Sequence, residues 1–532
     1  MKKEYPVKYR LNNFREHADF ISQRDPDGIC IKWLENGNEI TRTYSKFRSD
    51  INALGTYFHY NGFENARVAV IGENSYYWIL TYFATVIGGN VVVPVDRDLT
   101  VDAIINVLTD SGAKVLVHTD TYNKMLDEIV EATGVKTINV KELENLISEG
   151  NALLEKGEDK YLKAEIDDDA MSTLIYTSGT TGKPKGVMLS QRNIIRNACI
   201  VMDYENITGT TMLVLPIHHT FGFTASVVAV MIFGYPIAIN TSLRTFLPEL
   251  STYKPQSVYV VPMFIEAIYK KVWKTIEDKK LTKTFKALIK TSNALRKIGI
   301  DLRKKLFKTV TDSFGGNLSL LVSGGAPLDP VYVKFFDAIG VTLINGYGIT
   351  ECSPIVAVNP LDSPRNGSVG LVLPETEVKI IDKDENGNGE ICVKGIGVML
   401  GYYKNEEATN EAFEGEWFKT GDLGHLDDDN YLYISGRKKN LIILNNGKNI
   451  YPEEIEEMIM RIPEVIEVVV YSENDVMTAE IYTENNQAVD SAIRELNKTL
   501  PNYKAIKNIK FRDTEFEKTT TKKIKRNTVI KN

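Results

Sequence analysis

Residues 66–119 alternate short apolar runs with longer helical stretches, and nothing else in the chain constrains its fold as much. ARVAVI at 66–71 reads as a buried strand, SYYWILTYFATVIGG as an apolar helix and NVVVPVD as a second strand. A helical stretch, TVDAIINVLTDSGA, then leads into a third strand, KVLVHT. Strands alternating with helices predict an α/β class, a parallel sheet with covering helices. The pattern resumes with helical LRTFLPELSTYKP, strand SVYVVP, and the strands LSLLVSGGAPL and VTLINGYG, which run into glycine turns. Between these, residues 265–313 are Lys-rich and helical, as expected of solvated helices around the fold.

The character of the chain then changes twice. TEVKII, GEICVKG and NYLYIS are short strands set off by acidic glycine turns, and they predict a β-rich subdomain over about 376–435. A break follows at 436–439. Beyond it, helical YPEEIEEMIMRI, strands VIEVVVYS and VMTAEIYT, helical VDSAIRELNKTL and strand KNIKFR predict a small α+β domain at 440–532. The rest, 1–435, is expected to form one large N-terminal domain of parallel sheets that includes the β-rich subdomain.

Charge and cysteine usage narrow the function. The chain has 532 residues with 63 Lys and Arg against 70 Asp and Glu, a net charge of −7. That balance argues against a dedicated nucleic-acid binder. The four cysteines are scattered, which fits a reduced compartment. The six histidines include one adjacent pair, His218–His219, and no ligand-spaced cluster, so a structural zinc site is not expected. The N-terminus lacks the apolar core of a secretory signal. The most apolar stretch, FGFTASVVAVMIFGYPIAI at 221–239, is interrupted by Gly222, Gly234 and Pro236. It reads as a buried helix followed by a buried strand and leaves at most transient membrane contact. The expectation is a soluble cytoplasmic protein.

The strongest motif is the string YTSGTTGKPKG at 176–186. Glycines let backbone N–H groups approach an anion, the hydroxyls of Thr177, Ser178, Thr180 and Thr181 donate to phosphate oxygens, and Lys183 and Lys185 supply charge. It is not the common nucleotide P-loop, because only two residues separate Gly179 from Gly182-Lys183, and Pro184 follows. The next stretch, GVMLS, reads as a strand rather than a helix start.

This string resembles the phosphate loop of the AMP-forming adenylating enzymes: acyl-CoA synthetases, peptide-synthetase adenylation domains and luciferases. Other motifs of that family follow in order. LPIHHTFG at 215–222 resembles its substrate-side histidine motif, NGYGITE at 345–351 its YGxTE motif, and TGDLG at 420–424 its TGD motif. GRKKN at 436–440, followed by NGKNIYPEEIE, resembles its hinge region. The resemblance runs from about residue 14 to 526.

The resemblance implies a two-step reaction. A carboxylate attacks the α-phosphate of ATP to give an acyl-adenylate and pyrophosphate, and a thiol then displaces AMP. It assigns Mg²⁺ to Glu351 with Thr177, and the α-phosphate to Thr350. Thr177, Ser178, Gly179, Thr180, Thr181, Gly182 and Lys185 cradle the phosphates. Tyr347 stacks on adenine, with Gly325, Asn345 and Gly346 beside it. Asp422 takes the ribose hydroxyls with Arg437 as companion. His219, favoured over His218 by the spacing Pro216-x-x-His219-x-x-Gly222, lies near the carboxylate and thiol path. The family's catalytic lysine falls on Lys523 in EKTTTKKIKR, where Lys522 stands in place of the family glycine and Lys525 is a near neighbour. Lys439 is the hinge about which a mobile C-terminal domain rotates, and Gly447 lies on the CoA side.

The acid and the thiol are read less directly. RKKLFKTVTDSFGGNLSLLVSGGAPLDP and GRKKNLIILNNGKNIYPEEIE are similar to bacterial long-chain acyl-CoA synthetases, which favours a medium- or long-chain fatty acid and CoA. Residues 221–232 and 259–264 are equally readable as an alkyl pocket or as plain core. The alternative is a stand-alone adenylation enzyme that loads a fatty, aryl or amino acid onto a separate acyl or peptidyl carrier protein.

Overall fold

The apolar run at 66–71 becomes the strand Arg67–Ile71, an interior strand of a seven-stranded sheet in a computed structural model that describes residues 7–177, 184–204, 207–443, 449–473, 476–518 and 524–530. Its strand order is Gly401–Tyr402, Lys185–Ser190, Met171–Thr177, Val91–Pro94, Arg67–Ile71, Val115–His118 and Lys136–Asn139. The pairs from Met171–Thr177 to Lys136–Asn139 are parallel, as the alternation predicts. The helix Tyr76–Ile87 begins where the Ser75 hydroxyl accepts from the Trp78 N–H, satisfying one of the donors that a helix start leaves open. Every one of its residues but Tyr77 is buried, which explains an apolar surface with no polar stripe.

The chain packs as two compact units, Met1–Glu377 with Lys394–Glu411, and Val378–Val393 with Ala412–Asn532. Residues 376–435, read from the sequence as one subdomain, are thus shared between them. The first unit also holds a second sheet. In it, Ile29–Glu35, Ile237–Ile239, Thr211–Leu213, Ser257–Val260, Leu320–Ser323 and Thr342–Gly348 run parallel, and Asn38–Thr43, Ile355–Val358 and Gly370–Val372 add antiparallel edges.

Residues 221–239 form a buried helix and then the buried strand Ile237–Ile239, as expected. The first nine residues, Phe221–Ala229, are wound as a π-helix, a departure that recurs at functional sites. No helix among the described residues is long and apolar enough to cross a membrane. The Lys-rich stretch forms the helices Pro262–Asp278 and Thr282–Arg296, with two short turns after them.

In the second unit, Gly389–Gly395, Trp417–Leu426 and Tyr431–Arg437 pair antiparallel in that order. A three-stranded sheet, Val465–Glu473, Val476–Thr483 and Asn508–Arg512, packs against the helices Pro452–Met460 and Asn486–Asn497 around Ile455, Ile459, Val468, Val470, Ile481 and Ile493. All four cysteines are buried thiols: Cys30, Cys199 and Cys352 in the first unit, Cys392 in the second.

Candidate active site

The glycine loop joins two antiparallel strands whose register pairs Thr177 with Lys185. The strand after it, Lys185–Ser190, is the one read from GVMLS. Ser178, Gly179, Thr180, Thr181, Gly182 and Lys183 lie outside the described residues. The strand Gly401–Tyr402 pairs with Lys185–Ser190, setting Tyr402 opposite Val187. Tyr402 OH there donates to Glu351 Oε1 at 3.0 Å, and Lys185 Nζ lies 4.8 Å from the center of the Tyr402 ring. Burial, and then the adjacent Glu351 carboxylate, push the Tyr402 hydroxyl far above the ordinary tyrosine range, so it stays a donor. Glu351 and Thr350 occupy the one-turn helix Thr350–Cys352, directly after the strand that carries Asn345, Gly346 and Tyr347. Gly348 has to be glycine, since a Cβ there would meet Pro354 O at 2.1 Å.

The Asn345 side chain is occupied within the protein. Its amide donates to Ser368 O at 3.1 Å, and its carbonyl accepts from Asn359 Nδ2 at 2.7 Å. Gly325 follows the strand Leu320–Ser323 with φ +79°, a conformation that favours glycine. Its neighbour Gly324 lies under the Phe221 ring, where a Cβ would come within 2.8 Å. Phe221 also meets Tyr259 edge-on, with ring centers 6.4 Å apart. Two stretches read as possible alkyl lining therefore meet at the VSGGAPL turn.

The histidine loop is clamped from another strand end. Asn74 Nδ2 donates to Leu215 O at 2.7 Å, and Asn74 Oδ1 accepts from the Ile217 N–H at 3.1 Å. Gly222 leaves room for the loop's return, because a Cβ would meet Pro216 O at 2.3 Å. The rings of His218 and His219 are 4.1 Å apart, and buried His218 Nε2 lies 3.2 Å from Asp96 Oδ1. Ligating atoms of Asp96, His218 and His219 all fall within 4.8 Å of one another, a grouping that the histidine spacing alone did not disclose.

In the second unit, Asp422 and Arg437 are cross-strand partners. Arg437 Nε donates to Asp422 Oδ1 at 2.6 Å, and the Asp422 side chain is only 5% exposed against 40% for Arg437. Lys438 pairs with Glu390 at 2.5 Å. Partial withdrawal of the Lys439 ammonium from solvent, then the like charges of Arg437 and Arg526, hold its pKa below the ordinary lysine range. Gly447, Lys522 and Lys523 lie outside the described residues.

The family model described as "AMP-binding enzyme" matches residues 14–403, most of the chain. The chain belongs to the AMP-binding enzyme family. Among curated relatives it is 30% identical over 465 residues to the long-chain-fatty-acid–CoA ligase FadD15 of Mycobacterium bovis, covering 82% of this chain and 76% of that protein. It is also 30% identical over 441 residues to a long-chain-fatty-acid–CoA ligase of Escherichia coli O6:H1, covering 75% and 72%. Among solved structures, ATP-bound MatB from Rhodopseudomonas palustris superposes with a TM-score of 0.76 at 25% identity, covering 96% of this chain and 98% of MatB. The o-succinylbenzoate CoA synthetase MenE of Bacillus subtilis shares the fold at 22% identity, with a TM-score of 0.76 and coverage of 97% and 98%.

In the first unit, the fold brings together the ends of the glycine loop, Glu351 and a residue that the motifs did not mark, Tyr402. The string GYYK at 401–404 was the only local signal for it.

Proposed function

We propose that this protein activates a medium- or long-chain fatty acid as its acyl-adenylate and passes the acyl group to the thiol of CoA. The observation that carries this reading is 30% identity, over most of both chains, to proteins named long-chain-fatty-acid–CoA ligases. The chain is an AMP-forming acid–thiol ligase, and ATP and CoA are its substrates. In the first step a carboxylate oxygen attacks the α-phosphorus and pyrophosphate leaves. In the second the CoA sulfur attacks the acyl carbonyl and AMP leaves.

Glu351 and Thr177 would hold Mg²⁺. The fit is chemical: Glu351 offers carboxylate oxygens, the donors this hard cation takes, and Tyr402 orients them. Bound with ATP, Mg²⁺ neutralises phosphate charge. Lys185 and the loop hydroxyls of Ser178, Thr180 and Thr181, with the backbone of Gly179 and Gly182, are assigned to the phosphates, and Thr350 to the α-phosphate. Tyr347 is assigned to the adenine face with Gly325 and Gly346, and Asn345 borders it through its backbone because its amide is already engaged. Asp422 is assigned to the ribose, held by Arg437. Lys523 would stabilise charge between the attacking carboxylate and the α-phosphate, and His219 would orient the carboxylate. We divide the chain functionally into 1–435, a pivot at Lys439, and 440–532 with Gly447 on the CoA side, and assign the activity to the cytoplasm.

Pyrophosphate release with ATP and Mg²⁺, measured against fatty acids from C2 to C18, benzoates and amino acids with and without CoA, tests the reading. Turnover that peaks with the longer fatty acids and requires CoA is expected. A peak on aryl acids overturns the fatty acid assignment, and an adenylate burst that CoA cannot relieve overturns CoA as acceptor. Lys523→Ala should abolish adenylation and leave ATP binding nearly intact.

A further inference from the structure

Residues 262–312 carry fourteen Lys and Arg against five Asp and Glu, a net charge of +9 within a chain whose total is −7. The two kinds of cation are used differently. Both arginines are tied down: Arg296 and Arg303 each donate to Asp337 at 2.7 Å, and Arg303 also bonds Asp301. All twelve lysines are exposed. The same segment bears Met263, Leu281, Ile298, Ile300 and Leu302 as exposed large apolar residues, and three of these lie within five positions. Ile298 is 71% exposed, Ile300 45% and Leu302 37%. Gly299 turns the chain between the two isoleucines with φ +84°. The arginine pairs on Asp337 pin this loop to the helix Pro330–Ile339, so its apolar tip is held outward by the fold. Exposed Lys297, Lys304, Lys305 and Lys308 flank the tip in the chain.

We infer that this segment is a docking surface for an anionic phospholipid bilayer, with residues 298–302 entering the headgroup layer. Exposed aliphatic side chains flanked by exposed lysines are what an interfacial site needs: the lysines gather anionic headgroups, and the isoleucines leave water. A nucleic acid is the poorer fit, because both planar guanidinium groups are spent on Asp337 and Asp301. An acidic protein partner is also the poorer fit, because the lysines are distributed along the whole segment, six of them on two helices of which the longer is about 25 Å, rather than around one pocket. Residues 297–308 include none of the residues assigned above to the reaction, and the inference does not rest on the identity of the acid.

The test is flotation of the full chain with vesicles of phosphatidylcholine alone or mixed equally with phosphatidylglycerol, free of fatty acid and ATP. Binding to the mixed vesicles only, reversed by high salt, is expected. Lys304→Gln with Lys305→Gln should weaken it roughly thirtyfold, and Ile298→Ser with Ile300→Ser about tenfold or more. Adenylation of a water-soluble acid without vesicles should be unchanged in both variants, which shows that they fold. No binding to the mixed vesicles, equal binding to neutral ones, or binding unchanged in both variants overturns the inference. So does retention by an acidic carrier protein or by DNA in place of vesicles.

Discussion

Tyr402 gives its hydroxyl proton to Glu351 Oε1 at 3.0 Å while its ring lies 4.8 Å beneath Lys185 Nζ, so one aromatic residue touches both an assigned metal ligand and an assigned phosphate cation. Tyr402→Phe keeps the ring and removes the donor. Losing a hydrogen bond to a charged group costs about 1.5–3 kcal/mol. Pyrophosphate release at limiting Mg²⁺ should fall roughly tenfold, with partial recovery as Mg²⁺ is raised. Wild-type Mg²⁺ dependence in the variant would remove Tyr402 from the site.

Asp422 and Arg437 differ in exposure, and this splits the effects of changing them. Arg437→Ala takes the charged partner seen at 2.6 Å from a buried carboxylate and should destabilise the second unit by about 1–3 kcal/mol. Asp422→Asn leaves a half-exposed guanidinium, which costs the fold less, but it removes the acceptor assigned to ribose. Its KM for ATP should rise at least tenfold. Chemical denaturation and ATP titration of both variants check the crossed pattern, and equal stability losses would contradict it.

Gly324→Ala puts a methyl carbon 2.8 Å from the Phe221 ring, and the ring must move. Phe221 also meets Tyr259 edge-on. The longest accepted acids should lose kcat/KM most, and the shortest should change little. A uniform loss across a chain-length series would mean that Phe221 packs the core without bordering the acid.

His17 is fully buried on the helix Phe14–Arg24, and its Nε2 lies 3.0 Å from Val228 O. Burial lowers its pKa to about 4. Because the folded value lies below the unfolded one, the folded state binds fewer protons. Stability is therefore full above about pH 6.5 and is lost as pH falls toward 4. The loss is about 3 kcal/mol, and His17→Gln should flatten it. Urea unfolding at pH 7 and pH 5 reads the difference, and equal slopes in both proteins would assign acid sensitivity elsewhere.

Much of the fold was legible because apolar periodicity is local. The strand Arg67–Ile71 and the helix Tyr76–Ile87 lie within one residue or so of where the pattern puts them. The motif glycines were legible for the same reason: Gly222 and Gly348 are forced by backbone oxygens a few residues away. What stayed hidden depends on pairing across long sequence separations. Tyr402 reaches Glu351 only because Gly401–Tyr402 adds to the edge of Lys185–Ser190. Asp96 reaches His218 only when two strand ends come together. The π-winding of Phe221–Ala229 was not readable either, since its composition suits any buried helix.

The four buried thiols give the molecule its own clocks. A thiol reagent should find none of them in the folded protein, and each becomes reactive only when its surroundings open. Cys392 belongs to one unit and Cys30, Cys199 and Cys352 to the other, so the order in which they are labelled reports which unit opens first. Cys352 follows Glu351 directly, and its labelling rate with and without ATP would time the opening of the site itself.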